Sequence, residues 1–201
     1  MKRNLVFDLD GTLVDPSTRD HRLYSTALRE QGIEPLDFAS YWPLRRKPTH
    51  LETLLNVQVT AADVWQFMQS RLASGEHIDA LASDTLFDNV HHVLQQCRAN
   101  YDCHILTSRY NQETTLAQVE KLGLSKYFVS VRALGTTKLK ALSEMNHVHA
   151  MIGDTEHDVN PAKELGIMSI AVTTGIRSRE FLESLRPDHV FDDIIDILGV
   201  L

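Results

Sequence analysis

Short apolar runs alternate with helical periodicity along most of the chain. The runs "NLVF", "CHIL", "FVSV", "HAMI" and "IMSIAV" carry β-branched or aromatic residues. Each stops at a turn-former or polar residue, the pattern of a buried strand. Between them the apolar positions return at helical spacing. Leu86, Val90, Val93, Leu94 and Cys97 share one face, as do Leu116, Val119 and Leu122, then Leu139, Leu142 and Met145. Strand and helix in alternation predict a doubly wound α/β architecture, a parallel sheet covered on both faces. From about Ser17 to Ala80 the rhythm changes. Leu23, Ala27 and Leu28 share a face, Trp65, Met68 and Leu72 another, and Thr60 with Asp63 matches a helix N-cap pair. No strand pattern interrupts them. This predicts a helical insertion, residues 16–80, within a core made of residues 1–15 and 81–201; an ordinary long crossover is the alternative.

Composition narrows the setting. The chain has 201 residues, 43 % of them hydrophobic, enough for one large domain or one domain with an insertion. No apolar stretch approaches the ~18 residues of a membrane span. In "MKRNLVFDLDG" acids interrupt the apolar run too early for a signal peptide. Cys97 and Cys103 are the only cysteines, which argues for a reducing, cytoplasmic compartment. A formal charge of −7 makes nucleic acid a poor partner. The histidines are scattered without ligand spacing and read as ordinary residues. Oligomeric state has no signature in the sequence.

The acidic residues change the picture. In a parallel α/β sheet, ligands bind beyond the carboxyl ends of the strands. There stand Asp8 and Asp10 in "DLDGT", Thr107, Ser108 and Arg109 after "CHIL", and Asp154 and Asp158 in "GDTEHD"; "GTTKLK" adds Lys138 and Lys140 just before a helical pattern. Such a crevice gathers four carboxylates, two hydroxyls and at least one lysine. Carboxylates so close repel unless a cation compensates them, and clustered hard oxygens suit Mg²⁺. Mg²⁺ with a lysine can neutralise a phosphoryl group, one carboxylate can attack phosphorus, and a second can move protons. Singly, each feature has a plain structural reading. Paired aspartates cap turns, and Asn160–Pro161 suits an N-cap and first helical position that would make "GDTEHD" a simple turn. Together, in this order, they are much harder to dismiss.

"FDLDGTLVD", "HILTS", Lys138 and "IGDTEHD" resemble, in order, the four motifs of the haloacid dehalogenase superfamily. The resemblance runs nearly end to end. It includes "AKELGI", "AVTTGIRS" and "RPDHVFDDIIDIL", which are similar to phosphoglycolate-phosphatase-like members. It implies a Rossmann-like core with a helical cap of the family's first type, between the first two motifs. It implies a Mg²⁺-dependent phosphatase that hydrolyses a small phosphorylated metabolite through an aspartyl-phosphate. In that reading Asp8 is the nucleophile and a metal ligand. Asp10 is the general acid/base and also touches the metal through its carbonyl. Thr107 and Lys138 hold the phosphoryl group. Asp154 binds the metal and Asp158 supports it. Gly11 and Thr12 shape the turn after the nucleophile and, with Ser108, are candidate substrate-binding residues. A sugar phosphomutase or a non-catalytic binding protein on the same fold are the rivals. Two features depart from the pattern or extend it. Leu139 follows Lys138 where many relatives carry proline, which leaves Lys140 a competitor, and Arg109 has no assigned role. The run "YWPLRRKPTH" reads as a solvated turn or as a cap loop whose Arg45 and Arg46, with Lys47, meet a second anionic group on the substrate.

Overall fold

The computed structural model describes residues 2–48, 66, 70, 80–135 and 137–201. The expected strands form at β1 (Arg3–Phe7), β4 (Tyr101–Thr107), β5 (Phe128–Ala133), β6 (Val148–Gly153) and β7 (Met168–Val172). A further strand, β8 (His189–Phe191), is too short for its apolar run to stand out in sequence. These six pair in parallel in the order β5-β4-β1-β6-β7-β8. The order runs one way from β1 to β5 and the other way from β6 to β8. The central strand β1 therefore ends where the winding reverses, the place where such sheets bind ligands.

Alternation along the strands divides the core into two layers. Leu5, Phe7, Cys103, Ile105, Ala150, Ile152, Ile170 and Val172 pack with helix α3 (Val90–Asn100), with Val119 of α4 (Gln112–Lys121) and with Ile194 and Ile197 of a terminal 3-10 turn. Val6, Leu106 and Met151 point the other way, onto Ala141 and Leu142 of α5 (Lys138–Ser143) and Ala162 of α6 (Glu156–Glu164). A final helix, α7 (Arg179–Ser184), buries Leu182 against Val159 and Ala171.

Two expectations about helix faces are corrected. Leu86 belongs to a short strand rather than to the α3 face. On α4 the buried positions are Thr115, Gln118 and Val119, while Leu116 is 46 % exposed. The helix is turned so that Gln118, which has strong polar partners beneath it, takes the inward place a leucine was expected to fill.

Between β1 and α3 lie α1 (Ser17–Glu30) and α2 (Phe38–Arg45). They have a small apolar core of their own, Tyr24, Ala27, Leu28 and Tyr41, with Tyr24 and Tyr41 stacked at 4.3 Å and Trp42 packed alongside. Asp37 caps α2 by accepting from the Ser40 N–H. Leu23, expected on the same face as Ala27 and Leu28, is only half-buried. The chain leaves the sheet through β2 (Val14–Asp15) and returns through β3 (Thr85–Leu86), and these pair antiparallel as a two-stranded ribbon. The expected cap pair Thr60–Asp63 and the face Trp65, Met68 and Leu72 lie outside the described residues, as do Thr49 and His50.

The two layers set an expectation for stability. Leu94→Ala, fully enclosed between α3 and the sheet, should cost about 2–5 kcal/mol in denaturant unfolding. Val129→Ser, 67 % exposed on the edge strand β5, should stay within about 0.5 kcal/mol.

Candidate active site

The site is built where β1, β4 and β6 end. Asp8 follows the last residue of β1, and its N–H is fixed by the Ile152 carbonyl at 2.8 Å. Asp154 follows β6 and is fully buried. Asp158 sits on the first turn of α6. Oxygens of Asp8, Asp154 and Asp158 lie within 4.8 Å of one another.

The local turns explain how the backbone allows this. Gly11 has φ +85°, and a Cβ there would lie 2.2 Å from an Asp154 carboxylate oxygen; one on Gly175 would lie 2.1 Å from the same atom. Asp154 is thus wedged between two glycine backbones. It accepts from the Ile176 N–H at 2.6 Å and from the Thr12 hydroxyl at 3.4 Å. Asp158 does two jobs. Its Oδ2 accepts from the Thr155 N–H (3.0 Å) and hydroxyl (2.8 Å), closing a capping box at the start of α6. Its Oδ1 accepts from Lys138 Nζ at 2.5 Å. The helix therefore starts at Thr155, not at Asn160 as the Asn-Pro pair suggested. Pro161 lies inside it.

Lys138 opens α5 with only 2 % of its surface exposed, and its ammonium bridges Asp8 and Asp158. Lys140 is exposed, so the geometry favours the first lysine of the pair. Thr107 ends β4, buried, and its hydroxyl accepts from the Arg109 N–H at 3.4 Å. Ser108 is exposed beside it.

Asp10 has separate partners. Arg109 grips both its oxygens at 2.6 Å, and Arg19 of α1 adds a bond to Oδ1 at 2.5 Å. Arg45 pairs with Asp20 at 3.1 Å, and Arg46 donates to the carbonyls of Thr173 and Arg177. The structure thus occupies both arginines of the run with protein groups. Arg46 ties α2 to the loop that also carries Gly175 and Ile176. Sequence reasoning missed Arg19, Asp84 and Gln118. Gln118 left a signal, a polar side chain on the inward stripe of an amphipathic helix.

Charge decides what the pocket can hold. Three buried carboxylates face one ammonium. Burial pushes the Asp8 carboxyl up to about 7; Lys138 opposes the shift and Asp158 adds to it. Burial, then Asp8 and Asp158, hold Asp154 well above the usual carboxylate range. Asp10 goes the opposite way: burial would raise it, but Arg109 and then Arg19 outweigh burial and keep it well below that range. A close set of hard oxygen donors with surplus negative charge fits a divalent cation such as Mg²⁺ or Ca²⁺.

The haloacid dehalogenase-like hydrolase family model matches residues 5–172. The chain belongs to this family. It is therefore an enzyme of the hydrolase class, with the family's Rossmann-like α/β fold. Its relatives include a phosphoglycolate phosphatase of Synechococcus elongatus, 28 % identical over 96 % of this chain and 94 % of that protein. Another is the pyrophosphatase PpaX of Oceanobacillus iheyensis, 24 % identical over 99 % of this chain and 96 % of the relative. A haloacid dehalogenase-like family hydrolase from Streptococcus pneumoniae superposes with a TM-score of 0.79 at 20 % identity, covering 99 % of this chain and 98 % of the other.

The carboxylate surplus yields a pH-dependent prediction. Asp8 and Asp154 have folded-state pKa values above the unfolded 3.8. Between about 4 and 7 the metal-free folded state therefore binds more protons than the unfolded one, and these groups cost stability as pH rises through that window. Asp154→Asn should raise the melting temperature of the metal-free protein at pH 8, by roughly 2–4 °C per kcal/mol relieved. The gain should fade toward pH 4. Thermal melts of both proteins in chelator, from pH 4 to 8, check this; a variant less stable than wild type at pH 8 contradicts it.

Proposed function

We propose that this hydrolase is a phosphatase that uses Mg²⁺ and cleaves a small phosphomonoester metabolite through an aspartyl-phosphate on Asp8. The observation that carries the reading is the Lys138 ammonium seated between Asp8 and Asp158, beside the buried Asp154. The names of the relatives agree with phosphoryl chemistry. Asp8, Asp154 and the Asp10 carbonyl would hold the metal, with Asp158 supporting it through Lys138. When bound, the cation supplies charge neutralisation at the transferring phosphoryl oxygens.

The residues divide the remaining work. Asp8 Oδ attacks phosphorus while Lys138 screens its charge and that of the incoming anion; without that screening two anions would not approach. Thr107, with its hydroxyl at the strand end, and the exposed Ser108 beside it would donate to phosphoryl oxygens. Gly11 and Thr12 keep the turn tight enough for the substrate to reach Asp8. Asp10 gives a proton to the leaving oxygen and recovers one from the water that hydrolyses the aspartyl-phosphate.

We further propose that residues 16–80 act as a cap over this site and that residues 1–15 and 81–201 form the core. Support comes from the separate apolar core of α1 and α2 and from the β2–β3 ribbon through which both crossings pass. Arg46 bridges α2 to the loop beside Asp154, and its Nε is a buried donor without a hydrogen-bond partner among the described residues. It remains a candidate for the far end of an anionic substrate, while Arg45 is engaged within the helical pair. A cytoplasmic metabolite suits the composition.

The test is phosphate release over a panel of phosphorylated metabolites, in Mg²⁺ and in chelator. Asp8→Asn should lose activity by roughly 10⁴-fold or more while keeping its circular dichroism. Release that survives exhaustive chelation, or that survives Asp8→Asn, defeats the reading. Lys138→Ala should lower kcat by about 10²–10³-fold, and Lys140→Ala should change it little; steady-state kinetics of both variants on the best substrate check the ranking.

A further inference from the structure

Asp10 belongs to a closed ring of polar side chains that the reading above does not use. Arg109 Nε donates to Asp10 Oδ2 and its Nη2 to Oδ1, both at 2.6 Å. Arg109 Nη1 donates to Gln118 Oε1 at 2.5 Å. Gln118 Nε2 donates to Asp84 Oδ2 at 2.9 Å and to the Leu81 carbonyl at 3.3 Å. Asp84 accepts from Arg19 Nε through both oxygens at 3.0 Å, and Arg19 Nη2 returns to Asp10 Oδ1 at 2.5 Å. Two arginines balance two aspartates. The Asp84 side chain is fully enclosed and that of Arg109 only 5 % exposed.

We propose that Arg109 is the positioning residue for Asp10. This rests on the reading of Asp10 as the general acid/base. A free carboxylate rotates about its last bond, whereas one gripped by a guanidinium fork keeps its plane. Gln118 and the buried strand end fix the fork in turn, so Asp10 inherits its orientation from the core of the protein. The two oxygens are not equivalent. Oδ2 is bound by Arg109 alone among the described contacts, whereas Oδ1 is shared with Arg19, which comes from α1 beyond the β2 crossing. Oδ2 is the anchor. Oδ1 is the working oxygen, and the leaving group takes the place of Arg19 there. As the Asp8–phosphorus bond forms, the bond from phosphorus to the leaving oxygen breaks. Once Arg19 gives way, Oδ1 takes up the proton of a substrate bound as its phosphate monoanion; the leaving oxygen keeps the electron pair and takes that proton from Oδ1. The attacking water later returns a proton to Asp10 as its own oxygen bonds phosphorus and Asp8 is released.

The test separates orientation of an acid from general support of the fold. It reads kcat/KM, which covers steps only through the first irreversible one and so excludes hydrolysis of the aspartyl-phosphate. A series running from p-nitrophenyl phosphate through phenyl phosphate to simple alkyl phosphates demands progressively more help from an acid. With Arg109→Gln, alkyl phosphates should lose about 10²-fold more kcat/KM than p-nitrophenyl phosphate, the scale of a general acid's contribution. The plot of log kcat/KM against leaving-group pKa should steepen. Arg109→Lys keeps the charge without the fork and should steepen it too, by less. If Arg109→Gln does not fold, Arg109→Lys decides alone. An equal loss across the series, or a wild-type slope in Arg109→Lys, overturns the proposal while leaving the phosphatase reading intact. A wild-type protein inactive on the whole series, with Mg²⁺ present, overturns both.

Discussion

The buried Lys138 ammonium is the interaction on which the site depends. It joins the end of β1 to the start of α6 through Asp8 and Asp158. Burial lowers the affinity of an amine for its proton, yet the two carboxylates outweigh burial and raise it, with Asp158 the stronger. The charge is thus secured by its neighbours. Removing the lysine would leave three enclosed carboxylates with nothing between them, and an uncompensated buried charge is among the costliest defects a fold can carry. The fold tolerates the surplus negative charge because the same carboxylates are tied to the backbone. Asp154 holds the Ile176 N–H, and Asp158 holds the Thr155 N–H and hydroxyl. The carboxylates that crowd the pocket are thus the same ones that fix its backbone.

The strand ends could be read from sequence because burial on two faces leaves continuous apolar runs, and a run has an end. Asp8, Thr107 and Asp154 each stand at such an end, so the topology of the sheet brings them together once the winding order is known. Lys138 was harder. Its run contains two lysines; position at the helix start favours Lys138 in sequence, and the phase of a six-residue helix turns it inward. The errors have a common cause. Apolar spacing points Leu116 inward, yet it is exposed, whereas Gln118, which that spacing passes over, is buried. Apolar periodicity cannot anticipate a polar side chain held inside by partners far away in sequence. The start of α6 shows the same limit at short range. Asn160–Pro161 is a good helix entry by local preference, but the Thr155–Asp158 box, with Asp158 also held by Lys138, captures the chain five residues earlier.

Those polar partners also form one of the places where the helical pair and the sheet are coupled. The β2–β3 ribbon is a two-residue pairing, too short to be rigid by itself. Arg19 lies on α1 just after β2 and Asp84 just before β3, and the Arg19 Nε shared between both Asp84 oxygens closes the ribbon at its outer end. Arg46 makes a second attachment farther out, on the loop whose Ile176 N–H meets Asp154. Movement of α1 and α2 relative to the sheet must therefore disturb either the Asp10 ring or the loop that seats Asp154.

A site with two electrostatic compartments follows from this arrangement. In one, Asp8, Asp154 and Asp158 outnumber Lys138, and the carboxyl groups of Asp8 and Asp154 are shifted toward the protonated form. In the other, Arg19 and Arg109 match Asp10 and Asp84, and Asp10 is held ionised. Asp8 and Asp10 are two residues apart on one turn, yet their surroundings push them in opposite directions. The chain leaves strand geometry after Phe7, so the turn aims the two side chains at different neighbours, and Leu9 between them is buried in the core beneath. In the metal-free site this divergence runs against the proposed roles, since a nucleophile must be ionised and an acid protonated; a bound cation would lower Asp8, and departure of Arg19 from Oδ1 would raise Asp10. The glycine at position 11, the only residue type that fits against Asp154 there, lets the chain turn sharply enough to keep both compartments at the end of a single strand.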